Sequence, residues 1–250
     1  MNLSLHHGIK SWVDAVLSFF YPEVCQCCHM ERATPQEGFV CQECRKQVQL
    51  IQPPFCERCG LPFEGEVTTL FVCSYCQETT CHYSTARAAV GSKDPVLEII
   101  HRYKYQRQLW FEPFLSGLLV QAAAPVLWGK EWDYIVPVPL HPKKQSEREF
   151  NQAERLARPL AKATEIPLHT RLLRRVEHTR TQTQLSREER AVNVRKAFAL
   201  HKGADCQGQR LVVVDDVLTT GATTNACARV LKEAGAAEVC IWTVARGLLN

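Results

Sequence analysis

One stretch near the carboxyl end decides the fold of this chain: Leu211-Val212-Val213-Val214-Asp215-Asp216-Val217-Leu218-Thr219-Thr220-Gly221-Ala222-Thr223-Thr224. Its apolar start, rich in β-branched residues, predicts a fully buried strand. Two adjacent carboxylates, Asp215 and Asp216, follow at the carboxyl end of that strand. A turn rich in Thr and Gly comes next, and a helical pattern covers residues 224–234.

This order of elements predicts an anion-binding site. A small-residue turn that opens a helix presents unpaired backbone N–H groups and the positive helix end to one ligand. The two acids suit ribose hydroxyls or a hydrated Mg²⁺ beside that anion. The simpler alternative is a buried strand that ends in a threonine-rich helix cap. That alternative does not account for two adjacent carboxylates, which should repel each other when no ligand is present.

Residues 212–223 resemble the phosphoribosyl-pyrophosphate (PRPP) motif of the type I phosphoribosyltransferases at every position. That motif is a hydrophobic strand, two acids, two spacer residues and Thr-Thr/Ser-Gly-x-Thr. The resemblance implies that Asp215 and Asp216 hold the ribose diol of PRPP, directly or through Mg²⁺. It also implies a turn that binds the 5′-phosphate and consists of Thr219, Thr220, Gly221, Ala222 and Thr223.

The composition is typical of a soluble globular protein. The chain has 250 residues, of which 46% are hydrophobic and 22% charged, and its net charge is +4. The charge is uneven, because residues 141–200 carry 14 Lys and Arg against 7 Asp and Glu. Such a basic segment fits an anionic substrate such as pyrophosphate, or nucleic acid. A solvated helical face is the simpler alternative for most of these residues.

No apolar run is long enough to span a bilayer, so the sequence predicts no transmembrane segment. Residues 1–21 predict an amphipathic helix that packs against the protein, because apolar residues recur at helical spacing over residues 9–20. Asp14 interrupts the apolar run and no small-residue cleavage site follows, which argues against a signal peptide. Weak contact with a membrane surface is the alternative for this helix.

Eight of the thirteen cysteines form four Cys-x₂-Cys pairs: Cys25, Cys28, Cys41, Cys44, Cys56, Cys59, Cys73 and Cys76. Two such pairs offer four thiolates to one metal ion, so the sequence predicts two structural Zn²⁺ sites. Pairs adjacent along the chain are expected to share a site, although cross-pairing stays open. Disulfides are the rival interpretation. Zinc is favoured because no secretory signal is predicted and a cytoplasmic location keeps thiols reduced.

A double zinc ribbon is predicted over residues 22–82, with Pro53-Pro54 between two similar halves. Few aliphatic residues occur there, so bound metal should supply much of the folding free energy. Modules of this kind are structural, dock proteins or contact nucleic acid, and the sequence leaves all three roles open.

Residues 83–250 alternate between strand and helix patterns, which predicts an α/β domain with a parallel sheet and helices on both faces. Strands are predicted over residues 85–90, 134–139, 168–176, 211–214 and 239–245. Helices are predicted from Asp94-Pro95, over residues 114–124, over residues 151–164, and over residues 226–234 with Gly235 after the last one. Residues 179–193 are predicted to form a mobile loop or an exposed helix.

Further short motifs match a narrower family. In order along the chain, these family motifs are Val136-Pro137-Val138-Pro139, Arg148, Phe150-Asn151-Gln152, Leu173-Arg174-Arg175, Thr181-Gln182-Thr183-Gln184, Arg190, Asn193-Val194 and Ala245-Arg246. Together with the cysteine pairs they resemble the ComF/GntX family of competence protein F-like proteins over nearly the whole chain. His101-Arg102-Tyr103-Lys104-Tyr105 is similar to the Lys-containing helix end of that family. One departure is Glu149, which stands where the family pattern has glycine.

The resemblance implies a role in the use of imported DNA, for natural transformation or as a nutrient. Two functions follow as hypotheses. The first is a phosphoribosyltransferase with an unknown acceptor, in which Arg174, Arg175 or Lys104 stabilises the leaving pyrophosphate near the turn after Pro139. The second is a non-catalytic adaptor that senses PRPP or handles single-stranded DNA and docks a DNA-uptake helicase or channel protein through its zinc ribbons. Surface solvation and helix capping are the simpler roles for the three basic residues.

Overall fold

The computed structural model describes residues 23–63, 65, 70–93, 95–176 and 197–247. Four features of the sequence analysis lie outside these described residues: the predicted helix of residues 1–21, the predicted helix cap Asp94, the predicted loop of residues 179–193, and the family motifs between residues 181 and 194.

A parallel sheet forms the centre of the described chain. The strands are β1 (Thr85–Gly91), β2 (Tyr134–Pro137), β3 (Leu173–Arg175), β4 (Phe198–Leu200), β5 (Arg210–Leu218) and β6 (Glu238–Arg246). The main sheet has the order β1-β6-β5-β2, and each of its pairings is parallel. β3 and β4 form a separate antiparallel pair. The α/β class is therefore confirmed, and the carboxyl ends of the parallel strands meet at one edge, where ligands bind in such sheets.

Helices cover both faces of this sheet. They are α1 (Gln42–Lys46), α2 (Ser74–Glu78), α3 (Val96–Tyr105), α4 (Glu112–Leu127), α5 (Pro142–Arg148), α6 (Gln152–Thr164) and α7 (Ala222–Glu233), with 3₁₀ turns at Pro35–Glu37 and Leu109–Phe111. Residues alternate along β5, so that Val212 and Val214 join a core with α4 and α6. Leu211 and Val213 point the other way and join a core with α7. The predicted arrangement of helices is confirmed.

The two halves of the zinc ribbon pack differently. The first half joins the main core, where Cys25, Val40 and Cys44 lie among residues of α4. Its close approach requires Gly38, since a Cβ there would lie 2.7 Å from the backbone nitrogen of Phe114. The second half keeps a small core of its own around four cysteines. Both halves are thus held against the α/β domain rather than projecting from it.

Several predicted boundaries are wrong. β5 continues through both acids to Leu218, because β6 pairs with it that far. β2 ends at Pro137, and α4 extends to Leu127 with Pro125 inside it. The predicted strand over residues 168–176 is divided into a single bridge at Leu168 and the short β3. α3 begins after Pro95, and α7 begins already at Ala222. α6 begins one residue later than predicted, because Asn151 is its N-cap and accepts a hydrogen bond from the N–H of Ala153.

One helical segment among the described residues, Leu109–Leu127, is long and apolar enough to cross a membrane by length and composition. The sequence analysis predicted no such segment. Phe114, Leu115 and Leu119 of this segment are buried in the main core with β6 residues such as Trp242. A helix packed in this way contributes to a hydrophobic core.

Candidate functional site

Two buried carboxylates lie side by side towards the carboxyl end of β5. Asp215 is 8% exposed and Asp216 is 3% exposed. The Oδ1 of Asp215 accepts a hydrogen bond from the N–H of Asp216 at 2.9 Å, and the Oδ1 of Asp216 accepts one from the N–H of Val217 at 2.7 Å. The Oδ2 of Asp216 is buried without a hydrogen-bond partner in the described chain. Such an unpaired oxygen is costly, so it fits a pair of acids that binds a cation or a hydroxyl.

Lys104, near the end of α3, offsets the charge of the acids. Its Nζ lies 2.8 Å from the Oδ1 of Asp216, and its side chain is 18% exposed. Burial alone lowers the pKa of Lys104, but attraction to Asp216 and Asp215 raises it above the ordinary value. Burial and the charge of Asp216 raise the pKa of Asp215 to about 8. Burial and repulsion by Asp216 therefore favour a proton on Asp215 near neutral pH, and a divalent cation would compete with that proton.

The turn of residues 219–223, here called the phosphate turn, leads from β5 into α7. Gly221 adopts φ +77° and ψ 2°, a left-handed conformation that suits glycine, directly before the first residue of α7. The N–H of Ala222 donates to the Oγ1 of Thr220 at 3.3 Å, and the hydroxyl of Thr224 donates to the carbonyl oxygen of Gly221 at 3.2 Å. The turn is partly exposed at the positive end of a 12-residue helix. An anion can therefore approach the positive end of α7 at this turn.

A basic cavity of about 410 Å³ adjoins Lys104. Its lining residues are Lys104, Tyr105, Arg107, Lys144, Glu147 and Arg148. Burial, together with repulsion from Arg175 and Arg148, lowers the pKa of Lys144. α5, which supplies Lys144 and Arg148, follows the turn after Pro139 where a pyrophosphate loop is predicted. The cavity therefore offers concentrated positive charge beside the two acids.

The two arginines of β3 are placed differently. Burial lowers the pKa of Arg175 while Asp215 acts in the opposite direction, so the guanidinium lies within the field of the acids. Arg174 is exposed, and its Nε donates to the carbonyl oxygen of Leu200 at 3.1 Å. Of the two predicted residues, Arg175 is the one that the fold brings towards Asp215.

The predicted zinc ligands form two groups. The first cysteine cluster is Cys25, Cys28, Cys41 and Cys44, and the second cysteine cluster is Cys56, Cys59, Cys73 and Cys76. Within each cluster all four sulfurs lie within 4.8 Å of one another. The Sγ–Sγ distance is 3.7 Å for Cys25–Cys44, 3.8 Å for Cys28–Cys41 and 3.7 Å for Cys59–Cys73. Thiolates about 2.3 Å from one zinc ion form a tetrahedron with edges of about 3.8 Å. All the cysteines are free, so the geometry fits two zinc sites and confirms pairing of adjacent knuckles.

Backbone N–H groups favour the thiolate form in both clusters. The N–H groups of Cys59 and Cys73 donate to the Sγ of Cys56 at 3.5 and 3.4 Å. Burial raises the pKa of Cys56, but these donors outweigh it and lower the value to about 7. The same balance at Cys25 lowers its pKa to about 6. Burial raises the pKa of Cys41, Cys44, Cys73 and Cys76, so each cluster favours the metal-binding thiolate form at some of its sulfurs and not at all four.

Protein purified under reducing conditions should carry about two zinc ions per chain, and the Cys41→Ser variant should carry about one. Loss of one thiolate leaves the first cluster with three ligands, so the surrounding half-ribbon should lose stability. Metal analysis by plasma mass spectrometry measures the ratio. The matched control is Cys27→Ser, because Cys27 lies between Cys25 and Cys28 but outside the ligand group. A full complement of zinc in Cys41→Ser would contradict the assignment of Cys41 as a ligand.

Comparisons with known proteins agree with this architecture. Residues 16–81 match the family model of the double zinc ribbon domain, and residues 151–248 match that of the phosphoribosyl transferase domain. "Competence protein F" of Haemophilus influenzae is 31% identical over 211 residues, which cover 83% of this chain and 90% of that protein. This chain belongs to the competence protein F family. The resemblance found in the sequence is thereby confirmed.

Other relatives of this competence protein F family member carry a different description. "DNA utilization protein YhgH" of Escherichia coli is 30% identical over 233 residues, which cover 91% of this chain and 98% of that protein. Among solved structures, the allosteric regulatory enzyme of purine biosynthesis is 29% identical with a TM-score of 0.33, and the match covers 51% of this chain and 24% of that chain. The predicted domain boundaries at residues 21 and 82 stay predictions.

Glu149 is the residue that departs from the glycine implied by the sequence resemblance. Glu149 adopts φ +67° and ψ −6°, the left-handed conformation, directly after α5. A residue with a Cβ pays about 1–2 kcal/mol for this conformation. The carboxylate of Glu149 also lies 3.0 Å from the Nη1 of Arg107, which lines the basic cavity. The left-handed turn is thus kept without glycine.

Sequence reasoning missed two residues that hold the phosphate turn. Arg246 is fully buried at the end of β6 and donates to the carbonyl oxygens of Leu218, the last residue of β5, and of Thr219 in the turn. Tyr75 donates to the carbonyl oxygen of Thr220. The sequence analysis named Arg246 only as part of the family motif Ala245-Arg246 and gave it no role. An arginine that directly follows a strongly apolar strand was an available signal, because such a cation must find buried acceptors. Tyr75 lies inside a Cys-x₂-Cys pair, and no local pattern marks its role.

Proposed function

We propose that this protein binds PRPP with Mg²⁺ at the carboxyl end of β5 and acts in the use of imported DNA. The observation that carries the proposal is the adjacent Asp215 and Asp216, with a buried unpaired oxygen, directly before a glycine-opened helix N-terminus. The phosphoribosyl transferase family match supports the ligand class. The names of the relatives, competence protein F and DNA utilization protein, support the biological role.

Each part of the site has a task in this proposal. Asp215 and Asp216 hold the ribose hydroxyls, and the phosphate turn binds the 5′-phosphate through backbone N–H groups and threonine hydroxyls. Mg²⁺ would supply charge neutralisation for the pyrophosphate, and carboxylate oxygens are ligands that it accepts. Lys144 and Arg148, which line the basic cavity, would neutralise the charge of the leaving pyrophosphate in this proposal. Arg175, whose pKa responds to the charge of Asp215, would help to stabilise the negative charge that develops on the leaving pyrophosphate.

Transfer would break the bond between C1 of the ribose and the pyrophosphate oxygen and form a bond from C1 to an acceptor atom. Pyrophosphate would leave with the electron pair of the broken bond. The decisive experiment measures pyrophosphate release from PRPP and Mg²⁺ with nucleobases, nucleotides or single-stranded DNA as acceptors. Release with one acceptor establishes an enzyme. Binding of PRPP without release under all of these conditions establishes a sensor.

A second candidate function, binding of single-stranded nucleic acid, is favoured by Tyr105. This ring is 56% exposed on the wall of the basic cavity. The guanidinium of Arg148 lies 4.9 Å from the ring centre on one side, and the ring of His101 lies 4.9 Å away. Aromatic rings beside cations are the usual elements of sites for single strands, because bases stack while cations contact phosphates. In this role a cytoplasmic protein would pass the strand between the cavity and an uptake helicase or channel docked on its ribbons.

Binding of single-stranded DNA, if it uses this surface, should weaken steeply as salt increases, because each neutralised phosphate releases counterions. Tyr105→Ala should weaken binding by about 1–3 kcal/mol through lost stacking. Fluorescence anisotropy with a labelled oligonucleotide measures both effects. Trp110→Ala is the matched control, since Trp110 is also an exposed aromatic residue but does not line the cavity. Binding that is absent at low salt, or equal in the two variants, would remove this candidate.

A further inference from the structure

The second cysteine cluster lies directly against the phosphate turn. Tyr75 stands between two ligands of that cluster, Cys73 and Cys76. Its hydroxyl donates to the carbonyl oxygen of Thr220 at 3.0 Å. A residue of the metal knuckle thus contacts the backbone of the predicted phosphate site, 145 residues further along the chain.

Arg246 forms a second and larger link. It is 2% exposed at the end of β6. Its Nη1 donates to the carbonyl oxygens of Leu218 at 2.8 Å, of Thr219, and of Gly247 at 3.2 Å. Its Nη2 donates to the Sγ of Cys59 at 3.7 Å. A single guanidinium therefore bridges a sulfur of the metal cluster and the start of the phosphate turn.

Neighbouring contacts hold the same junction together. The side chain of Asn225, in the first turn of α7, accepts from the N–H of His82 at 2.8 Å and donates to the carbonyl oxygen of Thr80 at 2.9 Å. The knuckle also packs tightly on β1, where a Cβ at Gly60 would lie 2.7 Å from the carbonyl oxygen of Ala86. Direct contacts therefore connect the knuckle, β1 and the start of α7.

The direction of these hydrogen bonds matters for an anion. In a trans peptide the carbonyl of one residue and the N–H of the next point in roughly opposite directions in one plane. Arg246 and Tyr75 hold the carbonyls of Leu218, Thr219 and Thr220 on the ribbon side. The N–H groups of the following residues are thereby directed away from the ribbon. That is the side from which a 5′-phosphate would approach.

Charge couples the metal to Arg246. Four thiolates around one Zn²⁺ carry a net charge of about −2, and charge-assisted hydrogen bonds are roughly twice as strong as neutral ones. Zinc loss would protonate the thiols and open the knuckle, because metal supplies the folding energy of such modules. Arg246 would then lose its anionic partner and Tyr75 its position.

We propose that the second cysteine cluster, with zinc bound, sets the geometry of the phosphate turn through Arg246 and Tyr75. Zinc retention in that cluster and PRPP binding then reinforce each other. Arg246 and Tyr75 are positioning residues, since they contact the turn rather than the ligand. The inference rests on the proposed PRPP site. By thermodynamic reciprocity, ligand binding must stabilise the metal by the same factor by which the metal favours the ligand.

The first experiment compares the affinity for PRPP and Mg²⁺ by calorimetry. Tyr75→Phe should weaken binding about threefold to tenfold, the range of one net hydrogen bond, and Arg246→Lys should weaken it further. The matched control is Arg87→Met. Arg87 anchors the same half-ribbon through the carbonyl and carboxylate oxygens of Glu57, at 2.8 and 3.2 Å, and is not bonded to the turn. Its replacement should leave the affinity within about twofold of the parent.

The second experiment uses the unmodified protein, so it holds even if Arg246→Lys fails to fold. Zinc release to a chromogenic chelator is followed with and without PRPP and Mg²⁺. The phase that persists in a Cys41→Ser protein belongs to the second cluster. Ligand should raise the zinc affinity of that cluster, measured at equilibrium with the chelator, about fivefold or more, the lower range of measured coupling between sites. It should also slow that phase of release. Ribose 5-phosphate should slow it too, whereas pyrophosphate alone should not, because only the former has a 5′-phosphate for the turn.

The outcomes separate this inference from the proposed function. If PRPP binds the parent but zinc release from the second cluster stays unchanged, the coupling is overturned and the proposed PRPP site is retained. Equal weakening of PRPP binding by Tyr75→Phe and Arg87→Met shows a general role of the ribbon and also overturns it. Absence of PRPP binding by the zinc-loaded parent overturns both proposals.

Discussion

Replacing both Asp215 and Asp216 with asparagine should weaken PRPP binding by at least tenfold, about 1.4 kcal/mol. The two substitutions keep the side-chain volume and remove the charges that would hold the ribose hydroxyls or their Mg²⁺. A ligand raises the melting temperature only of a state that it binds. PRPP with Mg²⁺ should therefore raise the melting temperature of the parent and not that of the double variant.

The control for this result is Asp205→Asn, an exposed acid whose Oδ1 accepts only a local hydrogen bond from the N–H of Gln207. It should show the same thermal shift as the parent. An equal shift in parent and double variant would mean that the two acids are structural, and the PRPP proposal would lose its main support.

The same acids give PRPP binding a pH dependence. Burial and the charge of Asp216 raise the pKa of Asp215 to about 8, so a proton competes with the cation below that pH. If the bound form needs both carboxylates, affinity should increase as pH rises from about 6 to about 8, with one proton released on binding. The dependence should vanish in Asp215→Asn. Titrations at several pH values measure the slope.

The PRPP motif, the fold class and the zinc ligands could be predicted from the sequence, because each depends on consecutive residues or on fixed spacings between residues. The four Cys-x₂-Cys pairs specify their own ligand sets, and apolar runs between turns specify the parallel strands. The end of β5 was not accessible, because pairing with β6 extends it to Leu218 regardless of the carboxylates at positions 215 and 216. Local patterns carry no information about such pairing.

Long-range contacts explain the other gaps. Sequence reasoning expected the two acids to repel each other, but Lys104, more than a hundred residues earlier, supplies a cation at 2.8 Å. Tyr75 and Arg246 reach the phosphate turn from two further segments. In contrast, Glu149 was flagged correctly from one missing glycine, since the requirement for a positive φ is local. Residues whose role depends on a distant partner were the ones that the sequence did not reveal.

The ion pair of Lys104 and Asp216 makes single substitutions at the two acids unequal in their effect on stability. Asp216→Asn removes the anion 2.8 Å from a largely buried ammonium, and an uncompensated charge of this kind costs about 3 kcal/mol or more. Asp215→Asn keeps that pair and replaces a carboxyl group whose ionised form is disfavoured by burial and by Asp216. The Asp215→Asn variant should therefore be at least as stable as the parent. Above pH about 4 it should be more stable, because there Asp215 ionises in the unfolded chain but keeps its proton in the folded protein.

Urea denaturation of the two single variants measures this difference in the free energy of unfolding. A third variant separates the charge from the packing: Lys104→Met together with Asp216→Asn removes both charges and keeps most of the volume. Because neutral, similarly sized replacements of a buried ion pair are often tolerated, this variant should recover most of the loss seen in Asp216→Asn alone. Equal stability of Asp216→Asn and Asp215→Asn would show that Lys104 finds water or another acceptor. The ion pair of Asp216 with Lys104 would then contribute nothing to the free energy of unfolding, and the role of Asp216 would be confined to binding a ligand.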